Sequence, residues 1–189
     1  MRFAERRFSN LLMRLRVKEV LPHLRGRILD VGCGPGPLIE RLPADSEYIG
    51  VDTSGGTLAK LQARYPSQKF YNLDIQTDLP PSNKPFETII MMAVIEHLER
   101  PEDFFELYLP LLENDGRIII TTPAPVGEKL HNLLRKIGIA KSEVGDMHHH
   151  IYRLNELVLM LQEHNFDVVE ARRFEFGMNQ LVIGKKTVE

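Results

Sequence analysis

The segment Ile28-Leu29-Asp30-Val31-Gly32-Cys33-Gly34-Pro35-Gly36 constrains this chain more than any other. A short apolar run leads directly into three glycines at alternate positions. Such a chain can turn tightly at the end of a buried strand and bring its backbone close to a ligand, because glycine carries no Cβ. Turns of this kind belong to α/β sheets that hold a ligand at the carboxyl ends of their strands.

The remaining pattern agrees. Apolar runs recur at Tyr48–Val51, Lys69–Leu73, Phe86–Met92 and Arg117–Thr121, with helical periodicity near 36–42, 55–65 and 101–113. Strand and helix in alternation imply right-handed βαβ units and a parallel sheet covered on both faces. The end of the chain differs. A helix from about Glu156 to His164 precedes Phe166–Phe174 and Gln180–Lys185, which are separated by little more than Gly177 and its neighbours, as in an antiparallel hairpin. The expected fold is α/β, a doubly wound and mostly parallel seven-stranded sheet with a C-terminal antiparallel hairpin. A length of 189 residues suits one domain, residues 1–189.

Two segments fall outside this scheme. Phe8, Leu11, Leu12 and Leu15 recur at helical spacing before Pro22, so residues 1–25 read as a helix that packs on the core or lids the site. Pro123 to His150 lacks strand character, and Leu130, Leu133, Leu134 and Ile137 share one helical face. Long connections often carry function, and 123–150 is expected to cap the acceptor side.

Composition narrows the partners. Net charge is −2, and a single cysteine, Cys33, excludes an internal disulfide and suits a reducing cytoplasm. The longest apolar run, Ile89–Ile95, is far short of the roughly 20 residues that span a bilayer. Residues 1–27 hold eight Arg and Lys against Glu5 and Glu19. A solvated helix face is the first reading, and peripheral contact with a membrane or an acidic acceptor is the next. The absence of tryptophan and the small basic footprint argue against a nucleic-acid partner.

The glycines suit two cofactor classes. Asp52 lies twenty residues beyond Gly32 at the end of the next strand, where a carboxylate binds ribose hydroxyls in either class. Pro35 and Pro37 separate them. A dinucleotide fingerprint needs glycine at 37 and N–H groups aimed at a pyrophosphate, and proline has no N–H. S-adenosylmethionine carries no phosphate, and its ammonium suits Asp30 beside the turn.

Residues 27–36, with Val51-Asp52, Asn72-Leu73-Asp74-Ile75 and Ile95-Glu96-His97-Leu98, resemble the class I S-adenosylmethionine-dependent methyltransferases of the small-molecule, ubiquinone-methylase-like branch. The resemblance covers nearly the whole chain after residue 25. It implies a Rossmann-like methyltransferase fold, S-adenosylmethionine as cofactor and S-adenosylhomocysteine as product. It also implies that Gly32, Cys33, Gly34 and Gly36 border the cofactor and that Asp52 binds both ribose hydroxyls, with Thr53 beside it. Asp74 would meet the adenine amino group, Ile75 would cover the ring, and Met92 would lie near the methionine portion. Two departures stand out: Glu87 replaces an aspartate, and Asn114-Asp115-Gly116 replaces a Pro-Gly-Gly turn.

Methyl transfer is an in-line displacement at a carbon activated by positive sulfur, so much of the catalysis is alignment. A hydroxyl acceptor also benefits from a base, and histidine suits that task. His97 follows the fourth strand, where the alternative role is a helix-start histidine bonded to backbone. His148-His149-His150 precede the last helix, and His150 matches a position where the family often has histidine; a solvated polar loop is the alternative. Glu96, His97 and the histidine cluster also echo the metal ligands of RNA 2′-O-methyltransferases. Ala93 stands where that pattern needs its first glutamate, so no metal is expected. The leading expectation is methylation of a small-molecule acceptor, at oxygen. An RNA 2′-O-methyltransferase, an NAD-dependent oxidoreductase and a non-catalytic cofactor-binding module remain as alternatives.

Overall fold

A computed structural model describes residues 13–43, 46–127 and 150–187. Seven strands form one sheet: β1 (Ile28–Val31), β2 (Tyr48–Asp52), β3 (Lys69–Asn72), β4 (Phe86–Met92), β5 (Leu112–Pro123), β6 (Phe166–Phe174) and β7 (Asn179–Lys186). Their order is β3-β2-β1-β4-β5-β7-β6. The first five are parallel, and β7 pairs antiparallel with both β5 and β6. This is the doubly wound sheet with a terminal hairpin that the sequence pattern implies. The order reverses at β1, between β2 and β4, and there the glycine turn emerges.

The helices are α1 (13–20), α2 (Gly55–Arg64), α3 (Pro101–Tyr108) and α4 (Leu154–Glu163). Strand side chains alternate between two cores, as a period of two requires. Leu29, Val31, Ile49, Ile89, Met91, Ile118, Ile120 and Val182 meet Phe104, Phe105 and Tyr108 of α3 and Leu157 and Leu161 of α4. On the other face Ile28, Ile90, Ile119, Leu181 and Ile183 meet Val17 and Val20 of α1. Both faces of β1 are therefore buried, which is why its sequence reads as a continuous apolar run apart from Asp30.

Local chemistry sets the helix ends. α3 starts with Pro101 at its first position, where a missing N–H costs nothing, and Glu102 and Asp103 complement the positive end of the dipole. The Glu156 carboxylate accepts the Arg153 N–H at 2.7 Å and caps α4. Asn165, at φ 62°, turns the chain out of α4 into β6.

Three expected elements differ. The helix near 36–42 is a single 3-10 turn, Ile39–Arg41. Pro35 and Pro37 remove N–H donors and disfavour helical geometry before them, and Gly36 sits at φ 76°. The helix over 101–113 ends at Tyr108 and continues as a 3-10 turn, Leu109–Leu111, because Pro110 cannot extend the ladder. β5 starts at Leu112 rather than Arg117, with Asp115 at φ 65° bending the strand before Gly116. Residues 1–12 and 128–149 lie outside the described residues, so most of the expected lid and cap is not placed; helical residues 13–20 and 125–127 belong to them.

Candidate active site

A cavity of ≈ 240 Å³ opens at the carboxyl edge of the sheet, at its reversal point. Gly32, Asp52, Thr53, Ile75, Ala93, Val94 and His97 line it. These residues come from the ends of β1, β2 and β4 and the loop after β3, so one sheet edge gathers segments more than sixty residues apart in sequence. Ligands bind at this location in open α/β sheets because adjacent loops diverge there and leave a crevice.

Gly32 has no tolerable alternative. Its φ is +70°, and a Cβ would stand 2.4 Å from Val94 Cγ2. At Gly36, φ +76°, a Cβ would stand 2.7 Å from Leu61 Cδ2, so its absence lets the turn pack on α2. The turn is tied to its neighbour by the N–H groups of Gly32 and Cys33, which donate to Val51 O at 2.8 and 3.0 Å.

Asp52 ends β2 and holds the turn from the other side. Its Oδ2 accepts the Gly34 N–H at 2.9 Å, and its Oδ1 accepts the Ser54 N–H at 2.8 Å. The carboxylate is thereby aimed along the cavity wall with lone pairs still available to hydroxyl donors. Asp74 has a more local part: its Oδ1 accepts the Gln76 N–H at 3.0 Å, and its carbonyl accepts from Thr77 and Asp78. This Asx-type turn presents Ile75 to the cavity, whereas the exposed Asp74 is not among the lining residues.

Asp30 is fully buried beneath the turn. Tyr48 donates to its Oδ2 at 2.7 Å, and its Oδ1 has no partner. Burial, together with the charge of Asp52, pushes its pKa up to about 7, against the pull of the tyrosine hydrogen bond. The same burial, reinforced by Asp30, raises the Tyr48 phenol.

Two expected cofactor residues point elsewhere. The Cys33 side chain packs with Leu58 and Leu61 of α2, so only its backbone belongs to the turn. Burial and the nearby Asp30 and Asp52 raise the thiol pKa and keep it protonated. Met92, the last residue of β4, lies in the core beside α1, and Ala93 just after it lines the cavity in its place. Ala93 is left-handed at φ 57° and donates its N–H to Thr121 O at 2.7 Å, which fixes the chain as it leaves β4.

The two histidines separate. His97 closes the 3-10 turn Ile95–His97 and lines the cavity. His150 does not line it. Its side chain is 57% exposed, 3.8 Å from Glu156 and packed at 4.4 Å on the Tyr152 ring. Its N–H donates to Glu96 O at 3.4 Å, which ties its backbone to the turn that ends in His97. His148 and His149 lie outside the described residues. No three metal-binding side chains gather among the described residues.

Glu96 was legible only as part of a motif, yet it is 1% exposed. Thr122 donates to its Oε2 at 2.9 Å, and its Oε1 has no partner. Burial raises its pKa, against Thr122, His97 and Arg16. The signal that could have revealed it is the polar pair Thr121-Thr122 at the end of an otherwise apolar strand.

The lining suits S-adenosylmethionine. Carboxylates border the turn, no lysine or arginine lines the cavity, and prolines remove the N–H groups that a pyrophosphate needs. A cationic, phosphate-free nucleoside fits that donor set.

Comparison with known proteins agrees. A family model described as a methyltransferase domain matches residues 2–171. Trans-aconitate 2-methyltransferase of Rhodopseudomonas palustris strain HaA2 is 31% identical over 118 residues, 59% of this chain and 44% of that protein. The tRNA U34 carboxymethyltransferase of Hahella chejuensis strain KCTC 2396 is 32% identical over 120 residues, 58% of this chain and 37% of that protein. The chain thus spans less than half the length of these curated relatives. Magnesium protoporphyrin IX methyltransferase of Synechocystis PCC 6803, solved with bound S-adenosylhomocysteine, superposes with a TM-score of 0.68 over 99% of this chain and 88% of that one, at 18% identity. A SAM-dependent methyltransferase from Archaeoglobus fulgidus gives 0.73 over 94% of each chain, at 17% identity. At such identities the superpositions show the shared fold. With the family match over most of its length, the glycine turn and the acid-lined cavity, the chain belongs to the class I S-adenosylmethionine-dependent methyltransferases.

Proposed function

We propose that this chain transfers a methyl group from S-adenosylmethionine to a small-molecule acceptor, at oxygen. The observation that carries the reading is the cavity at the sheet's reversal point, with Gly32 as its floor and Asp52, Thr53, Ile75 and His97 as its walls. S-adenosylmethionine supplies an electrophilic methyl on a positive sulfur. Asp52 accepts hydrogen bonds from the ribose hydroxyls, and Ile75 covers the adenine with apolar surface. Gly32 and Gly34 let backbone approach the methionine portion, with Asp30 as the buried counter-charge beneath it. His97 stands at the acceptor end, where an imidazole can take the proton that an acceptor hydroxyl gives up.

We assign ordering of the acceptor to residues 1–25 and 123–150 on their helical apolar spacing alone. No described helix is long and apolar enough to cross a membrane. A lone, buried Cys33 supports a cytoplasmic setting.

The test is transfer of label from S-adenosylmethionine carrying a tritiated methyl into a fractionated cell extract. Label in the low-molecular-weight fraction is the expected result. Label in RNA would redirect the acceptor to nucleic acid, and no protein-dependent labelling would refute the reading.

A further inference from the structure

Beyond the cavity, the same sheet edge holds buried polar oxygens that the fold leaves unanswered. The register of β5 with β7 sets Thr122 opposite Gln180. Thr122 donates to Glu96 Oε2, and Gln180 Nε2 donates to Tyr152 O at 2.7 Å. Each side chain therefore spends one end on the protein and keeps the other free: Glu96 Oε1 and Gln180 Oε1 have no partner, although Glu96 is 1% exposed and Gln180 is fully buried. A fold rarely leaves polar atoms in this state, since native interiors satisfy nearly all of them. Two of them, both adjoining Thr122, are the pattern of a site whose hydrogen bonds are completed by something bound.

The position links these oxygens to the cavity. Glu96 and Gln180 lie behind its lining, and the 3-10 turn that carries Glu96 ends in His97, which lines it. The chemistry is one-sided. Gln180 Oε1 only accepts hydrogen bonds, and so does Glu96 Oε1 when the carboxylate is ionised. The cation whose field reaches Glu96 from α1 is Arg16, and its guanidinium is committed to Asn179 Oδ1 at 2.8 and 3.2 Å. Glu175, which Asn179 bonds, adds a second carboxylate with an unpartnered oxygen.

We propose that Glu96 and Gln180 are specificity-determining residues that recognise the methyl acceptor by its hydrogen-bond donors. The acceptor is a molecule rich in hydroxyl or amino groups, and a polycarboxylate is excluded by repulsion from Glu96 and Glu175 in their ionised forms. This rests on the methyl-transfer reading above and names the acceptor class for the same site.

Binding to the protein saturated with S-adenosylhomocysteine tests it, read by ligand-observed saturation-transfer NMR and calorimetry. Glucosamine and glucose serve as donor-rich probes and trans-aconitate as the polycarboxylate. At least one sugar binds the wild type, and its affinity falls tenfold or more in Glu96→Gln and in Gln180→Leu, while trans-aconitate does not bind. Glucose binding as well as glucosamine identifies hydroxyl recognition, and glucosamine alone identifies recognition of the ammonium. Urea unfolding of the ligand-free variants gives a readout that needs no acceptor. Glu96→Gln removes a buried, half-satisfied charge, so its midpoint stays level or rises, whereas a purely structural Glu96 would make it fall. A falling midpoint overturns the proposal. So does binding of trans-aconitate, or binding of neither sugar, in protein that binds S-adenosylhomocysteine. Failure to bind S-adenosylhomocysteine at all refutes the methyl-transfer reading instead.

Discussion

Replacing Asp30 by asparagine changes how stability depends on pH, and the structure sets the sign and the ceiling. Asp30 is fully buried, its Oδ1 is unpartnered, and its pKa stands at about 7 against an ordinary 3.8. A carboxyl raised in the folded state binds its proton more tightly there than in the unfolded chain. Its contribution to stability is therefore complete below about pH 3.8 and is lost as pH rises through about 7. A gap of roughly three pH units at about 1.4 kcal/mol each bounds the loss at about 4 kcal/mol. Asparagine keeps the shape and cannot ionise. Glu96 and Glu175 are also raised, but they remain in both proteins and cancel in the difference. The measurement is urea unfolding of both proteins at half-unit steps from pH 4.5 to 8. The wild type should lose stability relative to Asp30→Asn by up to about 4 kcal/mol across that window. A difference that stays flat would refute the assignment of Asp30 as a buried, poorly compensated carboxyl. S-adenosylmethionine should bind the wild type more tightly above pH 7 than below it, because its ammonium favours the ionised Asp30, and the variant should lose that dependence.

Asp52→Ala should weaken S-adenosylmethionine binding by about 2–3 kcal/mol by calorimetry, since hydrogen bonds to a charged acceptor disappear. Gly32→Ala adds a Cβ 2.4 Å from Val94 at φ +70°, so binding should be lost and the thermal midpoint should drop by several degrees. His97→Ala should lower turnover at least tenfold with cofactor affinity nearly intact, while His150→Ala, whose ring rests on Tyr152 outside the cavity, should cost far less. The reverse ranking in a single-turnover assay would move the base to His150.

The strands were legible because β1, β2, β4 and the second half of β5 lie between two layers and so read as largely apolar runs, and Gly32 and Asp52 stand out because a turn and a strand end announce themselves locally. The helix near 36–42 was misread because its apolar spacing is helical while Pro35, Gly36 and Pro37 refuse helical geometry. Met92 ends β4, but alternation turns it towards α1 and leaves Ala93 to line the cavity. Cys33 was named with the turn, yet its side chain leaves it for α2. Glu96 could not be weighed from sequence. Its burial depends on Thr122, 26 residues on, and on the crossing that sets Gln180 beside that threonine. His150 stands out by its match to a family histidine position and by its place in a histidine run, and neither signal says which way an imidazole faces.

The central claim is tested most directly by calorimetric titration of the purified protein with S-adenosylmethionine, S-adenosylhomocysteine and NAD. The account predicts binding of the first two in the micromolar range, lost together in Asp52→Ala, and no heat from NAD. Binding of NAD, or no binding of either sulfur compound, would contradict it.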